Sequence, residues 1–509
     1  MGGRSWYSYF DRLGFDPTPK SRVVRSLQGR PYFTLTLSAQ LDAQGAGIEP
    51  PSLRIDGTVR PLARWEKPGL LAGIKFGNSA RKISGALQAL DGEIDAAAAK
   101  GQVWLQRVGA MRWTQAEILQ IMEEIERVGA ATLQLYVTAR HALQSAYLRL
   151  LGLLDGAAAP QQLAALNLAL RPEPHAPASL VELQIAGEIA RLAQTAAAAP
   201  GVAAYLQAGD FTDWASQLPG GPFADGFAAF LAAYGHRCAG EGELMTPRWS
   251  ENPGWLLAVI AAAVRSRAAL PAVASPDEGP FLAAVDARRR KDAQVLLQQA
   301  RLGLRLQSKA LHVHAYTLAG TRIWALAAGR EAMGDKRLLA EDDVFFYELE
   351  EMKQMMTGEW NISDTEGIRA TATRRRAEWQ AWRGAAAGDL LVGDAAASAL
   401  VPPGAAGLPG AGGTASGTVV RAATGEPLHL PQQGKAVLFG EQADVGWAAV
   451  LPMAAGLVLQ QGSPLDPVVA AAGALHAPVV YATGDRFAGL AGGTAATIDG
   501  SQGTVQNAG

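Results

Sequence analysis

Residues 456–480, GLVLQQGSPLDPVVAAAGALHAPVV, lay out a strand, a loop, a helix and a second strand. Gly456–Leu459 is apolar and β-prone, and Gly462, Ser463 and Pro464 interrupt it. Asp466 followed by Pro467 is a helix-start signal. The carboxylate suits the cap position, and proline suits the first helical residue, where a backbone N–H has no partner to lose. The apolar run to Leu475 completes the helix, and Pro478–Tyr481 reads as a strand. His476, between helix and strand, reads as structural.

Working outward, short β-like runs recur at Thr418–Val420, Ala436–Phe439 and Ala495–Ile498. With the quoted segment they make a compact α/β module of roughly 95 residues, enough for an independent domain. Before it, residues 391–415 are rich in Gly, Ala and Pro and read as a flexible connector. Residues 29–390 read as mainly helical. Leu87, Leu90 and Ile94 recur at helical spacing, as do Ile118, Ile121 and Ile125. Asp286–Arg330 and Asp364–Arg383 are long helical patterns. Near the start, residues 29–60 carry alternating, β-prone segments, for example Tyr32–Leu37. Residues 1–28 form an aromatic lead without the apolar run of a signal peptide. The expected architecture is therefore multidomain α and α/β: a large mainly helical domain, then a small β/β/α domain over 416–509.

Composition narrows the function. The chain has 509 residues, 49% of them hydrophobic and 18% charged. Lys+Arg 45 against Asp+Glu 47 gives a net charge of −2, which argues against a nucleic acid or an anionic membrane held by bulk charge. No run reaches about 18 apolar residues, so no membrane span is expected. The single Cys238 excludes an internal disulfide and a multi-cysteine metal site, and a reduced cytoplasm is the simplest setting. His312 and His314 lie two residues apart on a helix, not the four a metal pair would need, so no metal is expected. The absence of a G-x-x-x-x-G-K-[ST] loop leaves no nucleotide cofactor expected.

The tail resembles the phosphohistidine swivel domain of phosphoenolpyruvate synthase, pyruvate phosphate dikinase and rifampicin phosphotransferase. Gly417-Thr418-Val419, Gly434-Lys435-Ala436-Val437-Leu438, Ala455-Gly456-Leu457-Val458 and Asp499-Gly500 with Gly503 and Val505 follow its punctuation in order. The family's active stretch runs G-G-x-x-S-H-x-A-I-x-A-R-E-x-G-I-P-A. Aligned without a gap from Gly462 to Pro478, its Ser-His falls on Asp466 and Pro467, and its Arg-Glu on Gly473 and Ala474. The resemblance implies a phosphoryl carrier whose histidine is replaced. Pro467 has no nucleophilic nitrogen. Asp466 offers an acyl phosphate in principle, against its plainer role as a helix cap.

The helical part is similar to the acceptor-binding domain of the same family. Tyr234-Gly235-His236-Arg237-Cys238-Ala239-Gly240-Glu241-Gly242-Glu243-Leu244, ending Pro247-Arg248-Trp249, looks like Y-G-H-R-G-P-x-E-x-E-L-x-x-P-R-W. Arg305-Leu306-Gln307-Ser308-Lys309 looks like R-E-x-x-K, and Gly29-Arg30-Pro31-Tyr32 like G-R-x-Y. Arg305 and Lys309 share a helix face with no acid between them. They form either a phosphoryl clamp, as the resemblance implies, or a solvated basic stripe. His236 and Glu241 are candidates to activate a hydroxyl, with Arg237 and Arg30 binding substrate; the alternative is a structural turn whose arginines bridge its glutamates. No ATP-grasp-like region is legible. The resemblance implies the acceptor-binding component of an atypical or split phosphotransfer system for a small hydroxylated compound, with a separate ATP-grasp and carrier-histidine subunit as partner. The alternatives are an enzyme acting on a phosphorylated substrate by phosphate elimination, or a non-catalytic scaffold.

Overall fold

The computed structural model describes residues 24–46, 49–55, 58–64, 72–154, 158–174, 179–359, 364–384, 390–393, 395–397, 406–422, 428–431, 434–487 and 489–507. The lead expected over 1–28 falls mostly outside these residues, as do 398–405 of the expected connector.

Strands β1 (Val24–Leu27) and β2 (Arg30–Phe33) form a hairpin across Gln28 and Gly29, both at positive φ, the backbone of a tight two-residue turn. Helix α1 (Leu35–Ala46) follows, so the alternation read over Tyr32–Leu37 is extended only as far as Phe33. Its second half is helical because one side of α1 packs on the helical body. Ala39 is buried there, and Asp42 takes hydrogen bonds from Ser145 Oγ, 2.8 and 2.7 Å from its carboxyl oxygens. A second hairpin, β3 (Ser52–Ile55) and β4 (Thr58–Pro61), comes next.

The helical body comprises α2 (Ala72–Gly109), α3 (Gln115–Leu151), α4 (Pro160–Ala169), α5 (Val181–Ala197), α6 (Pro222–Tyr234), α7 (Pro253–Arg265), α8 (Arg290–Gly334) and α9 (Thr365–Gly384), with shorter helices and turns between. Thr114 starts α3 with a capping box: its hydroxyl accepts from Glu117 N, and Glu117 accepts from Thr114 N at 2.7 Å. Two orphan amides are thereby satisfied reciprocally. Helices α3 and α8 pack closely where Gly303 meets Leu143; a β-carbon at Gly303 would lie 3.0 Å from Leu143 Cα. Among the described residues no helix is long and apolar enough to cross a membrane.

Beyond a small hairpin, β5 (Leu390–Val392) with β6 (Ala395–Ala397), lies a seven-stranded sheet. It contains β7 (Leu408–Ala411), β8 (Thr414–Ala422), β9 (Ala436–Gly440), β10 (Ala454–Leu459), β11 (Val479–Tyr481), β12 (Ala495–Asp499) and β13 (Thr504–Asn507), ordered β13-β12-β8-β9-β10-β11-β7. The central β8, β9, β10 and β11 pair in parallel, and the outer strands pair antiparallel. Helix α10 (Pro467–Ala474) joins β10 to β11. The connector therefore ends earlier than the composition suggests. Residues 408–411 are buried and form the edge strand against β11. Their Leu-Pro-Gly-Ala sequence has little β preference; proline is tolerated because the strand lies at an edge.

One continuous cluster of buried apolar side chains runs from Leu143, Ile185 and Leu192 in the helices to Trp447, Leu457 and Val479 in the sheet module. Hydrogen bonds stitch the same boundary. Asp444 accepts from Gly240 N at 2.7 Å and from Gly446 N at 2.7 Å, and Asn167 Nδ2 donates to Pro409 O at 2.7 Å. Gly446 sits directly on the backbone of Ala239, where a β-carbon would lie 2.7 Å from Ala239 Cα. Replacing Gly446 by valine therefore wedges the module off its seat, with an expected loss of about 1–3 kcal/mol. Small-angle scattering should show a larger radius of gyration, and protease should separate the C-terminal module faster.

Candidate functional site

The loop before α10 faces the helical body. Asp466 caps the helix, its Oδ1 accepting from Val468 N at 2.9 Å, and Pro467 is the first helical residue. The capping role read from the sequence is thus the one this carboxyl plays. Pro467 is buried. One residue before the cap, the carbonyl of Leu465 accepts from Gln307 Nε2 of α8 at 3.2 Å and from Arg140 Nη1 of α3 at 3.4 Å.

A cavity of about 780 Å³ opens beside this loop. Its walls come from the first hairpin, from α3, from β11 and from the loop itself. On α3 the lining residues Tyr136, Arg140, Gln144 and Tyr147 recur at spacings of four, four and three, one helical face. Phe33 meets Tyr136 edge-on at 6.4 Å and covers the Arg140 guanidinium at 5.3 Å. Asp466 and Tyr481 contribute from the sheet module. Burial pushes the Asp466 carboxyl up to about 6; its hydrogen bond from Val468 and the charge of Arg140 pull the other way, and Glu182 adds to the rise.

The residues singled out from the sequence fall in three places. Arg30 lines the cavity, its Nε donating to Glu441 at 2.7 Å. Arg305 and Lys309 do share a face of α8, but their counter-charges come from α2. Arg305 pairs with Asp91 at 3.0 Å, and Lys309 pairs with Asp91 and with Asp95 at 2.9 Å. Acids on another helix are invisible to spacing along α8. Partial burial acts to raise the Asp91 carboxyl, but the hydrogen bonds and charges of Lys309 and Arg305 together outweigh it and leave Asp91 more acidic than an ordinary aspartate.

His236, Arg237 and Glu241 form the third group, in the interior. Arg237 is fully buried, ion-paired with Glu241 and 3.8 Å from Glu182. Glu182 in turn accepts from Ser308 Oγ at 2.6 Å. The His236 ring stacks on Tyr316 at 3.9 Å and lies 4.7 Å from the His312 ring. Arg248 donates to Cys238 Sγ and to the carbonyl of Glu241. His236 and Glu241 are 5% and 6% exposed, and neither is among the residues lining the cavity. Burial, reinforced by His312 and Arg237, holds His236 well below the usual imidazole range, so it is neutral. Burial raises the Glu241 carboxyl, with Arg237 opposing. The expected pairing of Arg237 with Glu241 is present, whereas Arg248 serves the thiol and the backbone. His312 is also neutral, pushed down to about 3 by burial and Arg237.

Sequence reading overlooked Tyr136, Arg140, Gln144 and Tyr147. The available signal was an arginine and a glutamine in a helical stripe otherwise aromatic and apolar. Polar groups on such a stripe need a partner or an opening.

A long helical body carrying the buried His-Arg-Glu turn is joined to a β/α module that presents a capped helix to it. Known proteins carry parts similar to both. The family model of the rifampicin phosphotransferase fourth domain matches residues 142–325, and that of the PEP-utilising enzyme mobile domain matches residues 432–503. The rifampicin phosphotransferase of Streptomyces sviceus is 32% identical over 167 residues, 29% of this chain and 19% of that protein. The chain is thus similar to the phosphoenolpyruvate synthase and rifampicin phosphotransferase family in both of its parts, and the match spans about a fifth of that relative's length.

Two outcomes follow. Arg237→Leu leaves Glu182 and Glu241 buried without their cation and should cost about 3–5 kcal/mol in urea unfolding. Asp466 has a folded-state pKa above its unfolded value of 3.8, so it contributes stability that is fully present below 3.8 and lost as pH rises through about 6. Asparagine caps equally well but does not ionise. Asp466→Asn should therefore match the wild type at pH 3.5 and exceed it at pH 7.5 by up to about 3 kcal/mol, from a shift of about two units.

Proposed function

We propose that this chain is the acceptor-binding component of an atypical phosphotransfer system, holding a small hydroxylated compound in the cavity between the helical body and the swivel-like module. The observation that carries the reading is the cavity itself. It is about 780 Å³, has aromatic and aliphatic walls, and is bounded by both parts. That volume suits a single drug-sized molecule, with a few polar groups to orient it. Arg140, Gln144 and Asp466 are such groups, and Asp466 is positioned to hydrogen-bond a hydroxyl.

The transferring group has to come from elsewhere. Pro467 stands where the family's carrier histidine falls, and it is a buried ring with no lone pair to offer. A separate subunit with nucleotide site and histidine fits this arrangement. Delivery from such a subunit requires the swivel-like module to lift from its seat; binding alone does not. A non-catalytic binding protein is the second reading, supported by the continuous apolar core across the boundary. The phosphate-elimination reading has less support, since His236 and Glu241 lie away from the cavity lining.

Saturating 2-naphthol should raise the melting temperature by a few degrees, the effect of about 2.7 kcal/mol at a hundredfold excess over Kd. Ala158→Trp, which adds bulk at the half-buried cavity wall, should abolish the shift while the variant keeps its cooperative melting. With labelled ATP and an ATP-grasp partner, label should reach the small molecule and never this chain; a phosphorylated form of this chain would overturn the assignment of Pro467.

A further inference from the structure

The cavity wall is unevenly charged. Arg25, Arg30, Arg60 and Arg140 contribute to it against one carboxyl, Asp466. Arg30 is engaged by Glu441 at 2.7 Å, and Arg25 donates to Gly393 O at 2.8 Å. Arg60 lies exposed at the edge. Arg140 differs from all three. It stands on the long helix α3, half-buried, with its guanidinium face against Phe33.

The donors of Arg140 are poorly used. Nη1 reaches Gln307 Oε1 and Leu465 O at 3.4 Å each, both at the long limit of a hydrogen bond. Nε is buried and has no partner. Among the described residues no carboxylate lies within ion-pairing distance of it. Asp466, the acid among the lining residues, feels the charge of Arg140 but turns one oxygen into its own helix through Val468 N at 2.9 Å. Burying a charged donor without a partner is costly, and the cavity beside Arg140 is where a partner can enter. The planar fork of a guanidinium matches the two oxygens of a carboxylate better than any neutral group. Around it, Tyr136 and Tyr147 on the same helix face and Tyr481 across the cavity supply aromatic surface.

We propose that the natural ligand of this cavity is an aromatic compound bearing a carboxylate, with the carboxylate paired to Arg140 and the ring held among Tyr136, Tyr147 and Tyr481. The inference rests on the reading of the cavity as the ligand site and adds the chemical class that Arg140 selects.

Three probes of one shape separate the two claims: 2-naphthoate, 2-naphthamide and 2-naphthol, titrated calorimetrically into the full chain. The expected result is that 2-naphthoate binds roughly tenfold or more tighter than 2-naphthamide, the scale of one charge-assisted hydrogen bond. In Arg140→Gln the ratio of the two constants should fall to near one, and in Arg140→Lys, which keeps the charge without the fork, it should be intermediate. Melting curves establish that each variant folds; if Arg140→Gln does not, the wild-type ratio and the lysine variant decide. Equal binding of acid and amide, or a preference that survives in Arg140→Gln, overturns the inference while competitive 2-naphthol binding leaves the cavity reading intact. Failure of all three probes to bind overturns both.

Discussion

One backbone carbonyl, that of Leu465, is held by two long helices that pack against each other. Gln307 of α8 and Arg140 of α3 both donate to it. The helices are brought close enough to share it because Gly303 lets α8 lie against the backbone at Leu143, about one turn from each donor. The loop that leads into the capped helix α10, and that forms part of the cavity wall, is anchored at this meeting of three segments. A displacement of α8 by the width of a methyl group would part the two donors, since cores transmit rather than absorb such changes.

Two kinds of interaction hold the parts together, and they contribute unequally. The apolar cluster spanning the boundary is the stabilising one, since burial of apolar surface is the main favourable contribution to association within a chain. The buried charges around Arg237 add little net stability, because removing ions from water offsets most of their attraction. Their effect is geometric. They fix the turn that carries Ala239 and Gly240, and those two residues receive Gly446 and Asp444 of the sheet module. The polar network thus sets where the apolar surfaces meet.

Much of this was legible in the chain. The strands of the sheet module, the long helices and the Asp466-Pro467 cap all announce themselves through local punctuation, where each residue's own conformational preference agrees with the fold. The failures share a cause. Leu35 to Leu37 alternates like a strand but is helical, because tertiary packing of Ala39 and Asp42 outweighs local pattern. Leu408–Ala411 looks like linker but is a strand, because β11 needs an edge partner. Arg305 and Lys309 look unpaired because Asp91 and Asp95 sit some 210 residues earlier in the chain. The cavity was missed for the same reason. Its walls come from segments far apart in sequence, and only the stripe on α3 left a local trace.

Cys238 gives the architecture a practical property. It is the chain's single cysteine, almost wholly buried, in the turn on which the sheet module rests, and burial pushes its thiol up to about 12. The thiolate is the species that alkylating reagents attack, so the sulfur is silent while the turn stays packed. Its reaction rate is consequently an inborn clock for the opening of that turn, readable on unaltered protein without attaching a dye.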